Sequence, residues 1–175
     1  MAAIDPANVP RARPGFTFLR SHPAHLIALG FGAGLMRPAP GTWGTACAWL
    51  LYWAAGQLWD LSWPVQAVIG VAACGLGTWA AARTGTALGE KDAGEIVIDE
   101  IVAFWWVLAL LPSSEHPWLL QAAAFVAFRV FDIWKPAPIS WVQKHWQNAV
   151  GVMLDDLMAG AYTLLVITLW VVLQR

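Results

Sequence analysis

In GEIVIDEIVAFWW, residues 94–106, Asp99 and Glu100 stand side by side within an otherwise apolar run. VMLDDLMAG repeats the arrangement with Asp155 and Asp156, and AFRVFDIWKPAPI sets Asp132 between Arg129 and Lys135. A carboxylate in such company faces desolvation, a cost avoided only by pairing or by a bound cation. Oxygen donors without a His or Cys cluster select a hard cation. Mg²⁺ is the expected one, because it accepts one or two carboxylates, several waters and a substrate phosphate. Zinc is not expected, since His22, His25, His116 and His145 lie apart without ligand spacing and read as interfacial or capping residues.

Cations accompany the acids. On a helix Arg129 and Asp132, three apart, share a face, and Lys135 three further on extends it until Pro136 ends the helix. These charges read either as structural salt bridges or as a phosphate receptor, with Arg giving a fork of donors and Lys a point charge. PAPGTWGT, residues 38–45, adds an irregular Pro/Gly turn with Gly41, Thr42, Gly44 and Thr45 at the expected start of a helix. The amides and dipole of such a start suit an anion, although the same turn also serves as an ordinary cap. GFGAGL, residues 30–35, is not a dinucleotide fingerprint, because no strand precedes it and its spacing is wrong. Carboxylates for a metal and cations for a phosphate point to metal-assisted chemistry on a phosphorylated lipid, the metal polarising phosphoryl oxygens and activating water.

The elements that must position these residues are membrane elements. The 175 residues are 59% hydrophobic and 12% charged, against about half and about a quarter in soluble domains. Residues 61–82 carry no charge and are long enough to cross a hydrocarbon core about 30 Å thick. Five apolar segments, roughly 43–59, 62–82, 97–111, 117–134 and 157–174, predict an all-α protein with about five membrane-embedded helices. They form one domain over 21–175, preceded by a basic Pro-rich arm, 1–20, without the apolar core of a signal peptide. A net charge of −1 offers no basic stripe for nucleic acid, and nothing calls for an obligatory protein partner. Cys47 and Cys74 lie in apolar runs and read as small buried hydrophobes.

Arg and Lys fall in alternate connections: Arg11, Arg13 and Arg20, then Arg83 and Lys91, then Arg129, Lys135 and Lys144. The positive-inside rule puts those connections on the cytoplasmic side. Eight of the 11 acids, Glu90, Asp92, Glu95, Asp99, Glu100, Asp132, Asp155 and Asp156, belong to that same side and can converge. Glu90, Asp92 and Glu95 also fit a plain solvated loop. Trp43, Trp59, Trp63, Trp105, Trp106, Trp118, Trp134, Trp141 and Trp146 gather toward segment ends, where indole rings anchor at the membrane interface.

Four ordered stretches resemble the phosphatidylglycerophosphatase A family of bacterial lipid phosphatases. They are HPAHLIALGFGAGLMRPAPGTWGTACAWLLYW, DAGEIVIDEIVAFWWVLALLP, FVAFRVFDIWKPAPISW and VGVMLDDLMAGAY. The resemblance covers most of the chain and implies Mg²⁺-dependent release of the terminal phosphate of phosphatidylglycerophosphate, leaving phosphatidylglycerol, at the bacterial cytoplasmic (inner) membrane with the site facing the cytoplasm. It carries the family's polar motif positions onto Asp92, Asp99, Glu100, Arg129, Asp132, Lys135, Pro136, Asp155 and Asp156, and its glycine turn onto Gly41, Thr42, Gly44 and Thr45. The chain departs from the pattern once. The family carries a glycine-rich HGG segment before the last acidic pair, where HWQNAVGVMLDD has Gln147, Asn148 and Ala149 and only Gly151, which predicts a stiffer loop.

The expected assignment is Asp99, Glu100, Asp155 and Asp156 on Mg²⁺, Asp132 oriented by Arg129 or acting as a further ligand, and Arg129 and Lys135 on the phosphate. Asp92 and the glycine turn would lie on the substrate. Attack by water is favoured over a covalent aspartyl phosphate, although both use these residue types. A cysteine phosphatase is excluded, since Cys47 is followed six positions later by Trp53 and Cys74 by Ala80 rather than by Arg. A phosphatidyltransferase would need a spaced aspartate array with an Ala-Arg pair that is not found. The remaining alternative is a small membrane transporter or channel, which needs acids facing one another near the middle of its spans.

Overall fold

The computed structural model describes residues 13–59 and 62–174. Most of the basic arm, residues 1–12, lies outside the described residues. Every regular element among them is helical: α1 (Phe16–Ser21), α2 (Pro23–Ala28), a 3₁₀ segment (Gly30–Leu35), α3 (Pro40–Leu58), α4 (Trp63–Leu88), α5 (Ile98–Leu110), α6 (Pro117–Trp134), α7 (Ile139–His145) and α8 (Ala149–Leu173).

Proline opens several of these elements. It stands in the first turn of α2, α3, α4 and α6, where its missing N–H would have no partner in any case. The five expected segments are all helices, with two shifts. The first begins at Pro40, and the last begins at Ala149, so Asp155 and Asp156 lie inside α8 rather than ahead of it.

Two helices are long and apolar enough to cross a membrane, Trp63–Leu88 with mean hydropathy 1.6 and Ala149–Leu173 with 1.9. Only 22% and 28% of their apolar windows are buried, whereas the core helix of a soluble protein is mostly buried. Val68, Val71, Leu76, Leu165 and Leu169 point outward, so both helices carry exposed apolar faces of the kind that marks a membrane or partner surface. α5 differs. Its 13 residues reach about 20 Å, and it is packed on most sides, with Ile98, Ile101, Val102, Phe104, Val107 and Leu108 all buried.

α5 is thus the central post, packed against α3, α4, α6 and α8. Phe104 sits edge-on to Phe125 and near Phe128, with ring centroids 5.7 and 5.4 Å apart. Gly70 of α4 admits the Trp106 indole, and Gly44 of α3 admits Val97, whose Cβ would lie 2.7 Å from a Cβ at Gly44. Trp105 and Trp106, expected as interfacial anchors, are instead half-buried. Trp105 meets Tyr52 edge-on at 5.1 Å and Trp106 meets Trp63 at 6.3 Å. Trp59, Trp118, Trp134 and Trp141 are exposed, as expected of anchors. The long helices alternate in direction, which brings the starts of α3, α5 and α8 and the end of α6 to one end of the bundle.

Candidate active site

The first turn of α5 carries Asp99 and Glu100, where the positive end of the helix dipole favours negative charge. Asp99 Oδ1 also accepts from the Glu100 amide at 3.1 Å. The turn is fixed from behind, because the Val97 amide donates to the Ala28 carbonyl at 2.9 Å. Asp156 arrives from α8, and one carboxylate oxygen from each of Asp99, Glu100 and Asp156 lies within 4.8 Å of the others. Asp99 is 6% exposed and Asp156 3%. Glu100 Oε2 is buried without a hydrogen-bond partner. Three converging carboxylates with an orphaned oxygen are a donor set that fits a hard divalent cation.

Asp155 faces elsewhere. Successive residues on a helix diverge by about 100°, so when Asp156 turns to α5 its neighbour cannot. Asp155, 1% exposed, puts Oδ2 at 2.6 Å from Lys135 Nζ, while its Oδ1 is buried without a partner. The structure therefore separates the two members of a pair that the sequence offered as joint metal ligands.

Lys135 does not continue the α6 face. The helix ends at Trp134, immediately before the Lys135–Pro136 pair, since a residue before proline is disfavoured in the right-handed helical region, and Lys135 caps it in the left-handed region at φ 45° and ψ 61°. For a non-glycine residue that conformation costs on the order of 1–3 kcal/mol and persists where the surroundings over-determine it. Here three carboxylates do so: Asp155, Asp132 Oδ1 at 3.6 Å and Asp156 Oδ1 at 3.8 Å. Burial alone would depress the Lys135 ammonium, but the charges of Asp156, Asp155 and Asp132 outweigh it and hold the group above its ordinary pKa.

Arg129 and Asp132 do share a helix face. Arg129 Nη1 donates to Asp132 Oδ2 at 2.7 Å, lies 3.6 Å from Glu100 Oε1, and reaches Thr45 Oγ1 at 3.4 Å. Thr45 in turn donates to the Gly41 carbonyl at 2.9 Å. Arg129 Nε is buried without a partner, so the fork retains donor capacity.

The glycine turn contributes by closeness more than by free amides. Pro40 has no N–H, and the Thr42 and Trp43 amides already donate to the Ala39 carbonyl. Gly41 lies so close to the site that a Cβ there would collide with Glu100 Oε1 and come within 3.0 Å of Arg129 Nη2. Gly44 receives Val97, one residue before α5. Thr42 makes no side-chain hydrogen bond in the cluster.

Asp92 is exposed. It lines a cavity of about 490 Å³ with Lys91, Gln143, Trp146, Gln147 and Val152. Sequence reasoning took Lys91 only as a mark of orientation and Gln147 only as a departure from a glycine-rich pattern; their side-by-side place on a cavity wall had no signal beyond the adjacency of Lys91 to Asp92. Gly151 has a clear role, since any Cβ would run into the Trp146 carbonyl. Asn148 Oδ1 caps α8 by accepting from the Gly151 amide at 3.0 Å.

Comparison with known proteins places the chain in a family. Residues 26–171 match the family model described as PgpA: Phosphatidylglycerophosphatase A. The chain is similar to Phosphatidylglycerophosphatase A of Haemophilus influenzae, 41% identical over 147 residues that cover 83% of this chain and 87% of the relative. It is similar to the Escherichia coli protein of the same name, 36% identical over 140 residues, 80% of this chain and 78% of the relative. A Bacteroides thetaiotaomicron protein provisionally named phosphatidylinositol-3-phosphatase is 35% identical over 152 residues, 84% of this chain and 94% of its own length. No solved structure matches.

Proposed function

The chain belongs to the phosphatidylglycerophosphatase A family, and from that premise and the site geometry we propose that it hydrolyses phosphatidylglycerophosphate to phosphatidylglycerol and inorganic phosphate in a Mg²⁺-dependent reaction. The observation that carries the reading is the meeting of Asp99, Glu100 and Asp156 within 4.8 Å beside two cations, Arg129 and Lys135, each of them on Asp132.

Asp99, Glu100 and Asp156 would hold the metal, which when bound supplies polarisation of the phosphoryl group and a more acidic water. Arg129, held by Asp132 through Nη1, binds the phosphate with its remaining donors and offsets charge developing on its oxygens. Lys135 adds a second positive charge, kept in place by Asp155 and Asp132. Asp132 orients both cations from one carboxylate. Water is the nucleophile in this reading, with a site carboxylate taking its proton.

The Arg and Lys connections fall at the same end of the helices as the acids, which supports a site facing the cytoplasm from the inner membrane, with the three other long helices embedded beside the two apolar ones. The same clustering at helix ends disfavours a transporter, whose acids would stand mid-span.

Phosphate release from phosphatidylglycerophosphate by protein purified in detergent tests the reading. Release should be abolished by excess EDTA and restored by Mg²⁺. Release that persists in EDTA would remove the metal, and no release from folded, Mg²⁺-supplied protein would remove the phosphatase. A single turnover in oxygen-18 water should place label in free phosphate; label in a carboxyl group would mean an aspartyl phosphate instead.

A further inference from the structure

The cavity of about 490 Å³ beside the acids falls in the size range of ligand pockets, roughly 300–1,000 Å³. Val152 on its wall stands one helical turn before Asp155 and Asp156 on α8, and Asp92 on its rim belongs to the connection between α4 and α5, whose first turn carries Asp99 and Glu100. The cavity therefore adjoins the acid site. Its chemistry is different: one ammonium from Lys91, one carboxylate from Asp92, the carboxamides of Gln143 and Gln147, and the Trp146 indole.

One cation matches one negative charge, and the neighbouring Asp92 opposes a second. A phosphomonoester dianion is thus a poor occupant, whereas a phosphodiester monoanion is a good one. Two carboxamides and a carboxylate offer donors and acceptors for hydroxyl groups, and an indole covers C–H surface. Together they are the recognition set for a polyol phosphodiester. The wall is anchored, because Asn148 caps α8 and Gly151 lets the Trp146 carbonyl rest on its first turn.

We propose that this cavity is the head-group subsite, holding the phosphodiester and its glycerol while the terminal phosphate lies at Arg129 and Lys135; the assignment rests on the phosphatase reading above. Lys91 pairs with the diester oxygens, and Gln147 and Asp92 hydrogen-bond the glycerol hydroxyl. The subsite sets which head group is accepted, a matter on which this chain's relatives carry different names.

The test uses glycerophosphoglycerol, a soluble diester without acyl chains or a terminal phosphate, titrated calorimetrically into the full chain in detergent. Wild type and Asp99→Asn should bind it alike. Lys91→Ala and Gln147→Ala, both at exposed positions, should weaken it about tenfold or more, and Lys91→Arg should restore part of the loss. In turnover, Lys91→Ala should raise KM for phosphatidylglycerophosphate and leave inhibition by inorganic phosphate unchanged. Equal binding by wild type and Lys91→Ala, or no binding by wild type, overturns the subsite, as does a phosphate inhibition constant that rises in step with KM. Diester binding by a wild-type protein that releases no phosphate would uphold the subsite and sink the phosphatase.

Discussion

Lys135 Nζ stands 2.6 Å from Asp155 Oδ2, and the lysine that makes the contact takes a left-handed turn immediately before Pro136. The contact ties the end of α6 to α8 across the mouth of the acid cluster. Replacing Lys135 by Met leaves a nearly inaccessible carboxylate without its cation, so thermal unfolding in detergent should show a loss on the order of 3 kcal/mol, together with loss of turnover. Unchanged melting would mean that Asp155 has another partner. Because the folded pKa of Lys135 is raised, its contribution to stability is complete below the ordinary 10.5 and is lost only as pH rises through the higher folded value. No alkaline fall in stability below pH 10.5 should depend on this residue.

Arg129 offers one nitrogen to Asp132, Thr45 and Glu100 together. Lysine keeps the charge but not the planar fork, so Arg129→Lys should lower kcat by about tenfold or more and weaken competitive inhibition by phosphate, with little effect on melting. A variant that turns over like wild type would remove Arg129 from the phosphate.

Gly41 is required by proximity. A methyl group there must displace the Glu100 carboxylate or the Arg129 guanidinium, both at least four-fifths buried with little room to retreat. Gly41→Ala should therefore reduce activity by about a hundredfold, of the order lost when active-site geometry shifts by about 1 Å, and raise the Mg²⁺ concentration needed for half-maximal rate. A loss of stability without a change in the Mg²⁺ requirement would assign the glycine to packing.

Asp99→Asn and Asp156→Asn each remove one charge from the three-carboxylate cluster. Both variants should remain folded and lose turnover, and wild type alone should gain thermal stability when Mg²⁺ is added, since only a state that binds the ion is stabilised by it. Equal Mg²⁺-induced shifts in all three proteins would separate the cluster from the metal.

His25 gives a test of pH dependence away from the site. It is buried, stacks on Phe18 at 4.2 Å and has Nδ1 2.9 Å from Thr84 Oγ1, joining α2 to α4. Burial, with His22 and Arg83 nearby, lowers its pKa below the ordinary 6.5. Its contribution to stability is therefore complete above 6.5 and lost as pH falls through the lower folded value. Protection factors over residues 16–28, the exchange rates divided by the intrinsic rate at each pH, should fall between pH 7.5 and 5.5, and a His25→Gln variant should lose that dependence. Equal protection factors at both pH values would show that the ring does not govern this docking.

The reach of sequence reasoning follows from what each signal measures. Apolar runs report the local cost of burying backbone and side chains, so all five long segments were legible, although the start of α3 at Pro40 and of α8 at Ala149 was not. Acids beside such runs are costly unless something neutralises them, so Asp99, Glu100, Asp132, Asp155 and Asp156 were legible as a group, and the ordered motifs identified the family. Which acid faces which partner was not, because that depends on helix phase and on the packing of helices far apart in sequence. Only tertiary structure decided that Asp156 turns to Asp99 and Glu100 while Asp155 turns to Lys135. It also decided that Lys135 leaves the helical face, that Trp105 and Trp106 pack inward, and that Lys91 and Gln147 share a cavity. Sequence carries the chemistry of each side chain and the period of its own helix; the distances between helices exist only once the bundle has packed.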